Sequence, residues 1–141
     1  MIKNATESDF EVAFEFIEKL WTYNNYDKET IKRVYLQVIE NKDDFMFFLI
    51  ENDEYIGFAH GTYFNTFWMS GQTCYLSSII TSSKRRRQGY AHKLMDHVKE
   101  LAVERGCKAI ILDTGFARTD AHSFYEKYGF EKAAYCYEFK L

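Results

Sequence analysis

The sequence predicts an α/β fold of the α+β type: a mixed, mostly antiparallel sheet of six to seven strands with helices on both faces. Apolar residues repeat at helical spacing in some segments and form alternating or continuous strand-like runs in others. These segments follow one another in the order βααβββαβαβ. At 141 residues, the chain is expected to form one domain, residues 1–141.

The first third of the chain is predicted to form a short strand and two helices. Residues 2–5 are the strand, and the capping-box pattern TESD, which begins at Thr6, predicts a helix whose apolar residues run from Phe10 to Trp21. Asp27 is a candidate cap for the second helix. The apolar face of that helix is expected to consist of Ile31, Val34, Tyr35 and Val38.

Three strand-like runs follow, at residues 45–50, 55–64 and 73–81. Turn signals at Asn52-Asp53 and Ser70-Gly71 separate them. We therefore expect two antiparallel hairpin connections.

A helix and a strand come next. The apolar stripe after Gly89 predicts a helix from about Tyr90 that ends at Gly106. Residues 109–113 are continuously apolar and rich in β-branched side chains, which predicts a strand covered on both faces.

The C-terminal part is predicted to be a short helix and a last strand. Asp120 is the candidate cap of the helix and Gly129 its stop. Residues 135–141 alternate apolar and polar side chains, as a half-exposed strand does.

The composition narrows the class of protein. The net charge of −3 argues against a protein that coats nucleic acid or anionic membrane, so we expect neither as a partner. Three widely spaced cysteines are expected to be reduced, and no cysteine or histidine spacing predicts a metal site. No apolar run is long enough to span a bilayer, and the acidic N-terminal segment is unlike a signal peptide. We expect a cytoplasmic protein.

The stretch SKRRRQGYA, residues 83–91, lies where a strand is predicted to turn into a helix. The start of a helix presents unpaired backbone N–H groups and the positive end of its dipole, which favours an anion. Gly89 has no side chain to keep a phosphate away from those groups, and the arginines add charged donors. From the residues alone, a solvated basic face, a nucleic-acid patch and a phosphate site all stay open.

Two motifs resemble those of the Gcn5-related N-acetyltransferase (GNAT) family. RRQGYA, residues 86–91, resembles its pyrophosphate signature [RQ]-x-x-G-x-[GA], and TDAHSFYEKYGF, residues 119–130, is similar to its AxxxYEKxGF helix. The resemblance implies the GNAT acyl-CoA N-acyltransferase fold. It also implies an acetyl-CoA-dependent N-acetyltransferase that transfers the acetyl group to a primary amine of a small molecule or protein, by direct attack on the thioester.

The resemblance also implies which residues bind the cofactor. The backbone of Ile79, Ile80 and Thr81 would pair with the pantetheine arm. The pyrophosphate would be held at the signature and the helix that follows, by Arg86, Arg87, Gln88, Gly89, Tyr90, Ala91 and His92. Lys84 and Arg85 could reach the 3′-phosphate, but we expect them to face water.

In the second motif, Tyr125 matches the tyrosine that gives a proton to the leaving thiolate, and Ala121 opens the same motif. Arg118 stands where many relatives have asparagine and could reach a cofactor phosphate. On spacing alone, Tyr125 would be a core residue.

One departure concerns the base that removes a proton from the amine. Ser77 and Ser78 occupy the stretch where many relatives carry a carboxylate, and a hydroxyl is not basic at neutral pH. By residue type alone the candidates are Asp113, His122 and Glu51, each also explained as a structural or solvated group. The missing carboxylate keeps a non-catalytic acyl-CoA-binding module as the alternative function. A nucleic-acid-binding domain that uses residues 84–87 fits the net charge poorly.

The acceptor amine is expected to contact aromatic side chains, because an aromatic face attracts a cation. The candidates are Trp21, Tyr23, Tyr26, Phe64, Phe67, Trp68 and Tyr135. The same rings could close the core or the seam of a homodimer. A polyamine, an aminoglycoside, an amino acid and a protein amine all stay open as acceptors.

Overall fold

The structure of the protein is a computed structural model that describes residues 1–85 and 88–141. The chain forms two compact units, residues 1–111 and residues 112–141. That both belong to one domain stays a prediction.

The larger unit is a five-stranded sheet with three helices. Its strands, in spatial as well as chain order, are β1 (Ile2–Asn4), β2 (Asp44–Glu51), β3 (Glu54–Thr66), β4 (Gly71–Thr81) and β5 (Ala109–Ile111). Its helices are α1 (Phe10–Leu20), α2 (Lys28–Glu40) and α3 (Tyr90–Arg105), with 3-10 turns at Glu7–Asp9 and Ser83–Arg85. All neighbouring strands are antiparallel except β4 and β5, which are parallel, so the predicted mixed sheet is confirmed.

The helices lie on both faces of the sheet. Phe48 and Phe58, which are opposite each other on β2 and β3, pack with α1 and α2 in one core cluster. Gly57 points to the other face, where a Cβ at its position would lie 2.7 Å from Leu94 of α3. Because successive side chains of a strand point to opposite faces, α3 covers the face that α1 and α2 leave open.

The caps predicted before the first two helices are present. The carboxylate of Asp9 accepts hydrogen bonds from the Thr6 N–H and hydroxyl at 2.9 and 3.0 Å, and Asp27 accepts one from the Thr30 N–H at 3.1 Å. The predicted apolar face of α2 is wrong in part: Val34 is exposed, whereas Ile31 and Tyr35 contact the core. The face that packs is rotated from the predicted one.

Two predictions about strands are wrong. The chain described here forms five strands, not six to seven, because residues 135–141 pair with no described strand and their apolar side chains are exposed. An alternating pattern makes a strand only where another strand is available to bond with it. The strand predicted at 109–113 is only Ala109–Ile111, and its residues are half-buried instead of covered on both faces.

The smaller unit, residues 112–141, contains α4 (Thr119–Tyr128). The helix begins one residue before the predicted cap, and Asp120 instead accepts a hydrogen bond from the neighbouring Ala121 N–H at 3.0 Å. Gly129 ends it as predicted, with a φ of 122°.

Candidate active site

The second half of β4 has one open edge. β4 is paired with β3 from Gly71 to Thr81 except at Ser77, but its pairing with β5 covers only Thr73–Tyr75, opposite Ala109–Ile111. Residues 76–81 are therefore paired on the β3 side and on no other side in the part of the chain that the structure describes. Their outward backbone groups are available to an extended ligand that carries amides.

A bulge in β4 marks the start of this open stretch. Ser78 lies opposite His60, but the next pair along the strands is Leu76 with Gly61, so Ser77 is an extra residue with no partner on β3. A bulge bends the strand and redirects its backbone groups. Ser77 and Ser78, which replace the carboxylate of many relatives, are thus at the point where the strand changes direction.

The open edge leads to the turn that starts α3. Ser82 N–H bonds to the Ile56 carbonyl at 2.6 Å, which holds the end of β4 in place. Gly89 precedes the helix with a φ of 80°, and within residues 1–85 and 88–141 no side chain caps the first turn. A Cβ added at Gly89 would meet no atom of the described residues within 4 Å. The N-terminal end of α3 can therefore receive an anion.

Side chains tie this turn to the β2–β3 hairpin. The Tyr90 hydroxyl donates a 2.6 Å hydrogen bond to Glu51, Lys93 Nζ lies 3.4 Å from the same carboxylate, and Arg85 pairs with Glu54 at 2.7 Å. Arg85 is partly exposed in this surface ion pair, and Lys84 is exposed. The hydrogen bond from Tyr90 and the contact with Lys93 lower the pKa of Glu51, which makes this carboxylate a weak base. Its contacts instead hold the start of α3 to the β2–β3 hairpin.

The remaining signature residues are placed as follows. Gln88 is exposed, and His92 Nδ1 lies 3.2 Å from Asp96 one turn further along α3. Arg86 and Arg87 lie outside the described residues. On β4, Ile80 packs against the core under α1 and α2, while its backbone and that of Ile79 and Thr81 belong to the open edge.

In the smaller unit, Tyr125 is half-buried in an aromatic cluster. Its ring centroid is 5.6 Å from that of Phe124 and 5.8 Å from that of Phe130. Burial raises the pKa of the Tyr125 phenol, and the positive charge of Arg118 partly opposes this rise. The phenol is therefore protonated at neutral pH, and a cation is near enough to stabilise its phenolate.

The two other base candidates have partners of their own. His122 Nε2 lies 2.8 Å from the Gly115 carbonyl, and since a carbonyl only accepts, this nitrogen carries the proton. Asp113 raises the pKa of the Cys136 thiol, mainly through its negative charge. Both contacts suit structural groups.

His60 lies on β3, beside Asp44 of β2. Its Nε2 is the one side-chain nitrogen or oxygen among the described residues that is buried without a hydrogen-bond partner. Asp44 Oδ1 is 3.9 Å away, beyond hydrogen-bonding distance. Burial lowers the pKa of His60, and the Asp44 charge opposes the shift. The available signal was a histidine in register with Ile56 and Phe58, on the apolar face of β3.

The aromatic acceptor candidates are only partly brought together. Phe64 and Trp68 are neighbours with ring centroids 6.1 Å apart, and Tyr26 packs against the core. Phe67 is fully exposed at the β3–β4 turn. Tyr23 and Tyr135 are also exposed, and Trp21 is half-buried at the end of α1.

Residues 1–85 and 88–141 contain neither a membrane-spanning helix nor a group of side chains that could bind a metal ion. No helix there has both the length and the apolar character needed to cross a bilayer. No three histidine, cysteine or acidic side chains there are grouped as a metal site requires.

Comparison with known proteins gives a family and several relatives. Residues 8–130 match the model of the acetyltransferase (GNAT) family. An uncharacterized N-acetyltransferase, YhdJ, of Bacillus subtilis (strain 168) is 28% identical over 107 residues, which are 73% of this chain and 75% of that protein.

Solved structures share the fold over the whole chain. The crystal structure of a transcriptional regulator from Bacillus halodurans C-125 is 25% identical, with a TM-score of 0.91 and coverage of 100% of this chain and 99% of that one. The aminoglycoside N-acetyltransferase AAC(6′)-Iy in complex with CoA is 16% identical, with a TM-score of 0.85 and coverage of 100% and 93%.

The family match spans most of the chain and includes both the turn at the start of α3 and the helix that carries Tyr125. It confirms the resemblance seen in the two motifs. The chain belongs to the acetyltransferase (GNAT) family, and it is an N-acetyltransferase that uses acetyl-CoA as its acetyl donor.

Proposed function

We propose that acetyl-CoA binds along the open edge of β4, with its pyrophosphate at the start of α3. The observation that carries this proposal is the continuity of the two features. The unpaired edge of residues 76–81 ends at the turn that leads to Gly89 and the uncapped first turn of α3. An extended pantetheine arm has amides to bond with the edge, and its pyrophosphate end suits backbone N–H groups.

The residues of this cofactor site have separate roles. Ile79, Ile80 and Thr81 offer backbone groups to the pantetheine arm. Gly89 keeps the approach to the N–H groups of Tyr90, Ala91 and His92 open, and Gln88 adds an exposed side-chain donor. Arg86 and Arg87, which lie outside the described residues, are proposed as charged donors to the pyrophosphate by resemblance to the family signature.

Tyr125 is the proposed general acid. When the amine nitrogen bonds to the carbonyl carbon, the tetrahedral intermediate expels coenzyme A as a thiolate, and the phenol gives it a proton. A phenol with a raised pKa is fully protonated beforehand, and the nearby charge of Arg118 stabilises the phenolate. In the motif that carries Tyr125, we propose that Ala121 lines the cofactor and that Arg118 contributes charge near it.

The proposed acceptor is a primary amine on a small molecule. Aminoglycosides are the first class to test, because the solved relative that holds CoA is an aminoglycoside acetyltransferase. Polyamines, amino acids and a lysine peptide complete the panel, since exposed aromatic rings such as Trp68 attract any of these cations.

The experiment measures release of the coenzyme A thiol from acetyl-CoA with each amine of the panel. At least one amine is expected to give turnover, and Tyr125→Phe is expected to reduce kcat by roughly 100-fold, the lower end of the effect of a general acid. Tyr128→Phe, on the same helix, is the matched control and should retain activity. Tight binding of coenzyme A without turnover on any amine would instead support a non-catalytic module.

A further inference from the structure

We propose that His60 is the general base that takes a proton from the acceptor amine and that Asp44 positions and charges it. This inference rests on the proposed function, because it assigns the step left open by Ser77 and Ser78. The two serines cannot remove a proton at neutral pH. An ammonium with a pKa near 10.4 is neutral in only about one molecule in 2,500 at pH 7, so a base increases the rate.

The position of His60 is the first argument. His60 is the register partner of Ser78, and cross-strand partners have their side chains on the same face of the sheet. Ser77, the extra residue of the bulge, directly precedes Ser78 in the chain. Adjacent strands are about 4.8 Å apart, so a ligand paired with the open edge of β4 lies about two strand spacings from the backbone of β3. We therefore place the acceptor amine over the sheet face that His60 and Ser78 share, where the imidazole acts on it directly or through one water.

The surroundings of the ring are the second argument. Nε2 of His60 is buried without a hydrogen-bond partner and faces Asp44 Oδ1 at 3.9 Å. The His60 side chain as a whole is nevertheless 22% exposed to solvent. The exposed part therefore lies on other atoms of the side chain. A buried polar atom without a partner is costly, and catalytic hydrogen bonds are often long before substrate binds. With the acceptor amine on the other side of the ring, the imidazole of His60 would lie between the amine and the carboxylate of Asp44. A carboxylate in this position orients a catalytic histidine.

The electrostatics fit the same role. Burial lowers the pKa of His60, so the imidazole is neutral and able to accept a proton at pH 7. Asp44 on β2 is the charged group that acts on it, and its cross-strand neighbours Met46 and Ser78 carry no charge. After protonation, the carboxylate of Asp44 stabilises the imidazolium.

The step balances as follows. His60 Nδ1 takes one proton from the ammonium, and the resulting amine attacks the thioester carbonyl to form the C–N bond. The C–S bond then breaks, the nitrogen loses its second proton to solvent, and the thiolate receives one proton from Tyr125. The phenolate recovers a proton from solvent and the imidazolium releases one. Overall, one ammonium and one thioester become one amide, one thiol and one released proton.

The test follows kcat/KM against pH for wild type and His60→Gln, with two acceptors whose amines have pKa values near 10.4 and near 8. Near pH 7, we expect kcat/KM of the variant to be roughly 100-fold lower than that of wild type with the more basic amine. With the less basic amine the loss should be smaller, because a larger fraction of that amine is already neutral. The difference in kcat/KM between wild type and variant should shrink as pH approaches the pKa of the amine. Coenzyme A affinity, measured by calorimetry, should not change.

Two further variants separate catalysis from folding. His97→Gln makes the same change on α3, on the other face of the sheet, where His97 contacts Phe47, and should keep wild-type kinetics. Asp44→Asn removes the charge that raises the pKa of His60, so the rising limb of the wild-type pH profile should move to lower pH. This shift is measurable even if His60→Gln folds poorly.

The outcomes are distinct. If wild type turns over but His60→Gln matches it at every pH, or loses the same factor with both amines at all pH values, the assignment of His60 is wrong and the proposed function stands. If wild type acetylates no amine, the proposed function fails and the assignment fails with it.

Discussion

Gly89 and Gly106 stand at the two ends of α3 with nearly the same backbone conformation. Their φ values are 80° and 83°, and a Cβ at either position would meet no atom of the part of the chain that the structure describes within 4 Å. Glycine is needed at both for conformation and not for space, because a side chain disfavours this region of φ. Only Gly89 lies at the proposed pyrophosphate site.

The two glycines therefore make a matched pair of variants. We expect Gly89→Ala and Gly106→Ala each to lower the free energy of unfolding by about 1 kcal/mol, the cost of a left-handed conformation for alanine. Only Gly89→Ala should also weaken coenzyme A binding, by tenfold or more, because the new methyl group lies in the approach to the α3 N–H groups. Chemical denaturation and calorimetry measure the two effects. An equal affinity for both variants would place the pyrophosphate elsewhere.

Glu51 shows what residue type alone cannot decide. By type it was a candidate base, but the hydroxyl of Tyr90 and the amine of Lys93 engage its carboxylate. His60 showed the reverse, since nothing in the local sequence separates a packed histidine from one beside a partly buried carboxylate 16 positions away. Long-range contacts decide both cases, and they are invisible in a single sequence.

At the level of elements, the start of α1 depends on one buried carboxylate. Burial alone would raise the pKa of Asp9, but hydrogen bonds from Lys3, Thr6 and Tyr55 together lower it below 3.8. A carboxyl group with a lowered pKa in the folded state stabilises the fold above its unfolded pKa. That contribution is lost as pH falls through the folded pKa.

We therefore expect the free energy of unfolding of wild type to fall as pH drops below about 4, in part through Asp9. In Asp9→Asn this part of the pH dependence should disappear, and the variant should already be less stable than wild type at pH 7. Urea titrations from pH 2.5 to 7 measure it, with Glu7→Gln, an exposed residue of the same turn, as the control. Parallel curves for wild type and Asp9→Asn would show that Asp9 does not titrate in the predicted way.

The tail and the core give opposite expectations for the same substitution. Phe58 on β3 is 1% exposed, and Phe139 in the C-terminal tail is 89% exposed. Phe58→Ala should lower the free energy of unfolding by about 3–5 kcal/mol, whereas Phe139→Ala should change it by less than about 0.5 kcal/mol. Denaturant unfolding of both variants measures this. A large loss in Phe139→Ala would mean that the tail packs as the strand first predicted.

Local signals in the sequence were sufficient for most of the elements. The capping residues Thr6 and Asp27, the hairpin turns and the glycines after α3 and α4 all act on neighbours within a few positions. The tail could not be predicted in the same way, because its alternation is local but strand pairing is not. The bulge at Ser77 was likewise hidden, since it exists only in the register between two strands.

At the scale of the whole molecule, the family is identified by two motifs that are far apart in the sequence. The signature before α3 was specific only together with the α4 motif, and the family match over residues 8–130 includes both. The base was not predictable from either motif, because it belongs to neither. The structure adds the open edge of β4, which connects the bulge at Ser77 with the start of α3.

The most direct test of this account maps coenzyme A onto the chain by its effect on backbone amide resonances. The largest shifts on titration are expected on residues 76–81 and 89–92, while β1 and β2 are expected to be unaffected. Shifts confined to other parts of the sheet, with 76–81 and 89–92 unchanged at saturating coenzyme A, would contradict it.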